Sequence, residues 1–229
     1  MASDSTSLTA KLNWLRAGVL GANDGIVSVS GIVMGVAGAT ASGSALLVAG
    51  LAGLVAGALS MAGGEYVSVS TQKDTELSAV RQVKELLERE PERALADLKT
   101  SFEGQGFTPE LASCVAEALT DNDAVAAQTQ ARFGISAHEQ TSPWMAAFAS
   151  FIAFVLGALI PLLVMVLTPS SARVIATSVS VMVALAITGS VSAWLGQSPV
   201  VPPVLRNCLV GLFTMGITYL VGNLVGLSL

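Results

Sequence analysis

Residues 17–39 read AGVLGANDGIVSVSGIVMGVAGA, which is the most informative segment for the class of fold. A helix that crosses the hydrocarbon core of a bilayer needs about 20 predominantly apolar residues. The stretch has that length and holds one charged side chain, Asp24. Four further stretches reach that minimum length and hold no charge, at 45–64, 144–167, 174–196 and 208–229. The sequence therefore predicts an all-α polytopic membrane protein with five transmembrane helices.

The composition excludes several classes of protein. Of 229 residues, 52% are hydrophobic and 12% charged, whereas a soluble domain carries about 25% charged residues. The net charge of −5 leaves no basic face for a nucleic acid. Cys114 and Cys208 have neither disulfide-framework nor zinc spacing. No catalytic or nucleotide-binding motif occurs in a sequence context that would support it, so we expect neither an enzyme nor a bound cofactor. We also predict no cleaved signal peptide.

The basic residues predict the orientation in the membrane. Ten of the eleven lysines and arginines fall on one side of a five-span layout, and Arg173 alone falls on the other. Because cytoplasmic loops are enriched in lysine and arginine, the N-terminus and the loop between spans two and three should be cytoplasmic. The C-terminus should lie on the far side.

The chain is predicted to have three parts. Residues 1–66 form spans one and two, 67–142 form a small helical cytoplasmic insert, and 143–229 form spans three to five. No Gly or Pro occurs between Glu65 and Glu90, so span two should continue into the insert as one long helix. Pro91 should stop that helix or start the next one.

Two capping signals divide the rest of the insert. Thr108 followed by Pro109 predicts a helix start, and Thr120 three residues before Asp123 resembles a second one. We expect His138, a lone histidine before span three, to be exposed. Pro161 is a candidate kink in span three.

Asp24 is the first candidate ligand. A carboxylate inside a span costs about 2.5–3.5 kcal/mol and usually marks a functional site; a locally capped or interfacial Asp is the alternative. Small residues recur around it at steps of three and four, which predicts that Asp24 faces another helix rather than lipid. This face comprises Ala17, Gly21, Asp24, Ser28, Gly31, Gly35 and Gly38.

Span two repeats the pattern at steps of four residues, through Ala45, Ala49, Gly53, Gly57, Met61 and Glu65. A thioether next to a carboxylate suits a transition metal of intermediate softness, such as Fe²⁺, better than Ca²⁺ or Mg²⁺. The alternatives are a gap-filling Met61 and an interfacial Glu65 that reaches toward water.

The insert carries most of the remaining acids. Glu85, Glu88 and Glu92 would share one face if the helix continued past Pro91. A solvated charged face is the alternative.

Two motifs resemble those of the vacuolar iron transporter family. They are GANDGIV at 21–27 and ALSMAGGEYVS at 58–68, and the layout of five spans with a helical insert is similar over essentially the whole chain. The resemblance implies a bacterial-type homodimer in the lipid of the bacterial inner (plasma) membrane. It would move Fe²⁺, or a similar divalent ion such as Mn²⁺, out of the cytosol in exchange for protons.

The resemblance also implies roles for individual residues. Asp24 and Met61 would line the translocation path near the dimer axis, and glutamates of the insert would bind metal. At the corresponding insert positions this chain has Val83, Leu86, Ala94 and Asp97, so only Asp97 could bind metal there, and a register shift would bring in Glu85, Glu88 and Glu92. Two alternatives stay open, a membrane-anchored metal-binding or sensing protein that works through its insert, and a small-solute channel.

Overall fold

The computed structural model describes residues 3–137 and 142–227, with side chains from residue 17 onward. His138 lies outside the described residues. Within them the secondary structure is entirely helical, in agreement with the predicted fold class. The helices are α1 (Ser3–Ala39), α2 (Gly43–Arg89), α3 (Pro91–Gly104), α4 (Pro109–Phe133), α5 (Pro143–Leu167), α6 (Arg173–Leu195) and α7 (Val201–Gly226).

Five of the described helices are long and apolar enough to cross a membrane, which confirms the predicted number of spans. They are Ala17–Ala39, Gly43–Arg89, Pro143–Leu167, Arg173–Leu195 and Val201–Gly226. The predicted start of the fifth span at residue 208 was wrong by seven residues. Its helix begins at Val201 because Pro202 and Pro203 lie in the first turn, where a missing N–H costs no hydrogen bond.

The chain divides into two compact units, Met1–Val67 with Ser142–Leu229, and Ser68–Thr141. In the first unit, α1 packs closely against α5 and α7. A Cβ atom on Gly25 would collide with the Phe154 carbonyl oxygen, and one on Gly222 would collide with the Gly35 carbonyl oxygen. Small residues thus bring these helices into backbone contact, as is common in membrane bundles.

An apolar cluster fills the space between the helices of this unit. Ile26, Val33, Phe154, Leu162 and Leu185 are among its fully buried members. The outward faces of the same helices carry large exposed apolar side chains, as expected where lipid rather than water is the solvent. Pro161 is buried inside α5, which runs through it as a single helix.

Aromatic rings lie where three of the spans meet the predicted cytoplasmic surface. Tyr66 on α2 contacts Trp144 on α5, with ring centroids 4.7 Å apart, and Trp194 is exposed near the end of α6. Tyrosine and tryptophan concentrate at membrane–water interfaces because one part of each ring is apolar and another is polar.

The second unit contains the insert. The long continuation of α2 is confirmed, and it ends at Arg89, one residue before the non-helical Glu90 and the new helix that starts at Pro91. Thr108 caps α4 as predicted, by accepting a hydrogen bond from the Leu111 N–H.

The second capping signal was assigned to the wrong residue. Asp123 has non-helical backbone angles inside α4, and its carboxylate accepts a 2.8 Å hydrogen bond from the Ala126 N–H. The Thr120 hydroxyl instead donates to the Ala116 carbonyl in the preceding turn. An ionised carboxylate has no proton to donate to a backbone carbonyl, and it can accept from the N–H three residues later. Asp123 is therefore the N-cap.

Candidate metal site

Asp24 lies on the surface of the chain, where its side chain is exposed. One oxygen accepts a hydrogen bond of 2.9 Å from the Ser28 hydroxyl, one turn later on α1. The expectation that Asp24 faces another helix is therefore not met within a single chain. The small-residue face of α1 is covered at Gly21 by α5 and from Gly31 onward by α7, and Asp24 falls between these two contacts.

Met61 lies at the same height as Asp24 in the first unit. On the antiparallel pair α1 and α2, Gly50 approaches Val33 and Gly53 approaches Ile32. Two turns further along α2, this register puts Met61 opposite the level of Asp24. Met61 is half-buried and packs against the apolar cluster. The two predicted ligands thus share a level, one inside the unit and one on its surface.

Glu65 follows Met61 by one turn and is also half-buried. Its neighbour Tyr66 belongs to the aromatic pair with Trp144. Glu65 therefore lies at the level typical of the membrane interface. In this position it suits an entrance to a cation path as well as a simple interfacial acid.

Asn23 is a polar residue that the sequence interpretation passed over. Its side-chain oxygen is buried and has no hydrogen-bond partner among the described atoms. An unsatisfied buried acceptor costs about 1–3 kcal/mol, so such groups often belong to functional sites. The available signal was its position beside Asp24 in an otherwise apolar span.

A groove runs along α1 and α7 from Ser28 toward the end of both helices, with a volume of about 510 Å³. Its walls are almost entirely apolar, and the Thr218 hydroxyl that lines it donates to carbonyl groups of its own helix. The groove is continuous with the surface that carries Asp24, since Ser28 belongs to both.

The acids of the insert are not brought together. Glu88 lies in the last turn of α2 and Glu92 in the first turn of α3, and both are exposed. The condition for a shared face, a helix that continues past Pro91, is not met because Glu90 breaks it. Asp97 forms an ion pair with Arg132 of α4. Within residues 3–137 and 142–227, no three His, Cys, Asp or Glu side chains are grouped as a metal site would require.

A second ion pair joins α3 and α4 of the insert. Lys99 of α3 donates a 2.8 Å hydrogen bond to Glu117 of α4, which also accepts one from the Ser113 hydroxyl. The hydrogen bond from Lys99, with a smaller contribution from Ser113, lowers the pKa of Glu117 below its ordinary value. These acids therefore stabilise the helix pair.

The five apolar helices, the backbone-to-backbone packing of α1 and the carboxylate in its span define a polytopic α-helical membrane protein. A model of the VIT family matches residues 15–223. The chain therefore belongs to the VIT family, as the resemblance of its two motifs predicted.

Individual relatives match over nearly the whole chain. A vacuolar iron transporter of Acanthamoeba castellanii is 40% identical over 92% of this chain and 78% of its own length. Vacuolar iron transporter homolog 5 of Oryza sativa subsp. japonica is 36% identical over 94% and 82%. Vacuolar iron transporter homolog 3 of Arabidopsis thaliana is 34% identical over 94% and 85%.

Proposed function

We propose that the chain transports Fe²⁺, with Mn²⁺ as a second ion, from the cytosol across the membrane in exchange for protons, and that it acts as a homodimer. The observation that carries the proposal is the position of Asp24. This charged residue is exposed within a membrane span, at the same level as Met61.

The exposure of Asp24 supports a dimer. A carboxylate facing lipid is costly, and the cost disappears if a second copy covers this face and a cation lies between the two chains. In a two-fold symmetric contact the same patch of both chains meets, so Asp24 of each copy would contribute to one path. The groove that begins at Ser28 extends the same face.

Met61 supports a transition metal as the cargo. Its thioether is a soft ligand, which suits Fe²⁺ better than Mg²⁺ or Ca²⁺. The names of the relatives, one vacuolar iron transporter and two vacuolar iron transporter homologs, agree with this choice of metal. We assign Mn²⁺ second because it prefers oxygen ligands.

The direction of transport, out of the cytosol, is the one that the family resemblance implies, and the predicted orientation puts the insert on the cytoplasmic side. Proton exchange is assigned to Asp24, since a carboxylate can hold either a cation or a proton. We propose the bacterial inner membrane as the location, whereas the relatives carry the word vacuolar in their names. The insert acts as a scaffold in this proposal, because Asp97 is paired with Arg132.

Transport by purified protein in liposomes tests the proposal. Asp24→Asn keeps the size of the side chain and removes its charge. We expect Fe²⁺ uptake to fall by more than about 100-fold, since even residues that only support a metal ligand are worth about 10–100-fold. Glu110→Gln, which removes an exposed acid of the insert, should transport like the parent.

A pH-sensitive dye in the same vesicles measures proton movement against Fe²⁺, Mn²⁺ and Zn²⁺ uptake. Parent-like uptake by Asp24→Asn would show that the path does not use this carboxylate. Metal uptake without any proton movement would remove the exchange mechanism and leave a facilitated pathway.

A further inference from the structure

Gly63 and Gly64 stand in tandem inside α2, between Met61 and Glu65, and neither is explained by packing. Both are exposed, and a Cβ atom on either would meet no atom of the described residues within 4 Å beyond its own stretch of helix. Other glycines of the same helix have close neighbours, among them Gly50, Gly53 and Gly57. Two adjacent glycines weaken a helix because they lose the most backbone freedom when ordered.

The contacts of α2 differ in kind from those of α1. A Cβ atom on Gly25 of α1 would collide with backbone atoms of α5, and Gly222 of α7 stands in the same relation to the backbone of α1. The glycines of α2 instead meet the outer atoms of Leu162, Ile32 and Phe154 side chains. Side chains can change rotamer, whereas a backbone contact is rigid. The arrangement allows α2 to shift while α1 stays fixed to α5 and α7.

The position of the glycines relates this freedom to the candidate ligands. Met61 belongs to the part of α2 before the glycines, and Asp24 belongs to the tightly packed α1. A bend at Gly63 and Gly64 would therefore change the separation of the thioether and the carboxylate without unfolding either helix. Paired glycines are a recognised cause of sharp helix bends.

We propose that Gly63 and Gly64 form the hinge of the transport cycle, about which segment 43–62 of α2 changes its lean against α1 and α5. The proposal rests on the transport function proposed above. In it, the continuous α2 of this structure is one state of the cycle, and a helix bent at the two glycines is the other. Hinges commonly consist of a few such residues that absorb the backbone change.

Alanine substitutions test the hinge without adding a steric clash. In the double variant Gly63→Ala, Gly64→Ala, both positions have room for the methyl group. We expect the thermal unfolding temperature to rise, because alanine favours the helix. Equilibrium Fe²⁺ binding should stay within about two-fold of the parent, while the initial rate of Fe²⁺ uptake falls about ten-fold, which corresponds to about 1.4 kcal/mol of barrier.

Gly216→Ala is the matched control. Gly216 lies in the interior of α7 and is exposed, and in the described part of the chain a Cβ atom on it would likewise meet no atom within 4 Å beyond its own stretch of helix. Its substitution should raise stability without slowing uptake. The single variant Gly64→Ala should lie between the parent and the double variant, and it serves as the test if the double variant is poorly expressed.

Two results would overturn the hinge. Parent-like uptake by the double variant would show that α2 does not bend here. If Asp24→Asn is inactive in the same assay, that result leaves the proposed transport function unaffected. A double variant that becomes monomeric in detergent would show that the glycines make room for a second copy instead. Parent-like uptake by Asp24→Asn would count against the transport function itself.

Discussion

The Ser28 hydroxyl donates a 2.9 Å hydrogen bond to the Asp24 carboxylate one turn before it on α1. The bond restricts the carboxylate to one orientation and occupies part of one oxygen, and it leaves the other oxygen open to a cation. It also joins the candidate ligand to the groove between α1 and α7, which Ser28 lines.

Ser28→Ala tests whether this orientation matters for cation binding. Loss of one hydrogen bond of this kind costs about 1 kcal/mol, so we expect the apparent KM for Fe²⁺ to rise about five-fold with little change in maximal rate. Uptake measured over a range of Fe²⁺ concentrations gives both values. Ser28→Thr keeps the hydroxyl and should stay close to the parent; an equal loss in both variants would point to packing rather than to the hydrogen bond.

Met61→Leu tests the thioether as the source of metal selectivity. The substitution nearly conserves volume, so it should cost less than about 1.5 kcal/mol in stability. We expect uptake of Fe²⁺ to fall relative to that of Mn²⁺, since Mn²⁺ depends less on a soft ligand. Competition between the two ions in one vesicle preparation measures the ratio, and an unchanged ratio would mean that Met61 only fills space.

Gly222→Ala tests the close contact between α7 and α1. The added methyl would collide with the Gly35 carbonyl oxygen, and forced overpacking of this kind costs about 1–3 kcal/mol. We expect a lower thermal unfolding temperature in detergent. Gly216→Ala, in open space on the same helix, should not lower it, and a loss of stability in both variants would trace the effect to α7 itself.

Acid should loosen the contact between α3 and α4. Because the pKa of Glu117 is lowered in the folded chain by the hydrogen bond from Lys99, its contribution to stability is present above the ordinary glutamate pKa of about 4.3. That contribution is lost as the pH falls through the lower, folded-state value. The protection of the amides at residues 113–117 of the full chain, measured as the exchange rate relative to the intrinsic rate at the same pH, should decrease over that range.

Glu117→Gln provides the control for the acid effect. The variant should exchange faster at neutral pH and show less of the added acid dependence, because its side chain does not titrate. Glu110→Gln changes an exposed acid in the first turn of the same helix. If it removes the acid dependence to the same extent, the effect belongs to the charge of α4 as a whole rather than to the pair with Lys99.

Much of the fold could be predicted because it depends on local properties of the chain. Span length, the absence of charge and the continuation of α2 through residue 89 all follow from residue type and helix geometry. The start of α7 and the cap at Asp123 were missed. At each place two neighbouring sequence signals were compatible with a helix start. Which of them marks the start depended on which backbone N–H and C=O groups found hydrogen-bond partners.

The candidate ligands can be named from the sequence, but their arrangement cannot. Asp24 is named because a carboxylate in an apolar span is unusual, and Met61 because it shares a four-residue stripe with Glu65. Their common level could not be, since it depends on how Gly50 and Gly53 seat against Val33 and Ile32. The separation of Glu88 from Glu92 likewise depends on the break at Glu90.

The number of spans, the long second helix and the identity of the candidate cation ligands thus follow from the sequence, since each depends on the chemistry of a short segment. Only the folded chain shows that Asp24 is exposed on α1, that Asp97 is paired with Arg132, and that a Cβ atom on Gly63 or Gly64 would meet no atom of the described residues outside its own stretch of helix within 4 Å. These facts depend on which helices meet and at what register, and contacts between distant segments are not encoded in any single one of them.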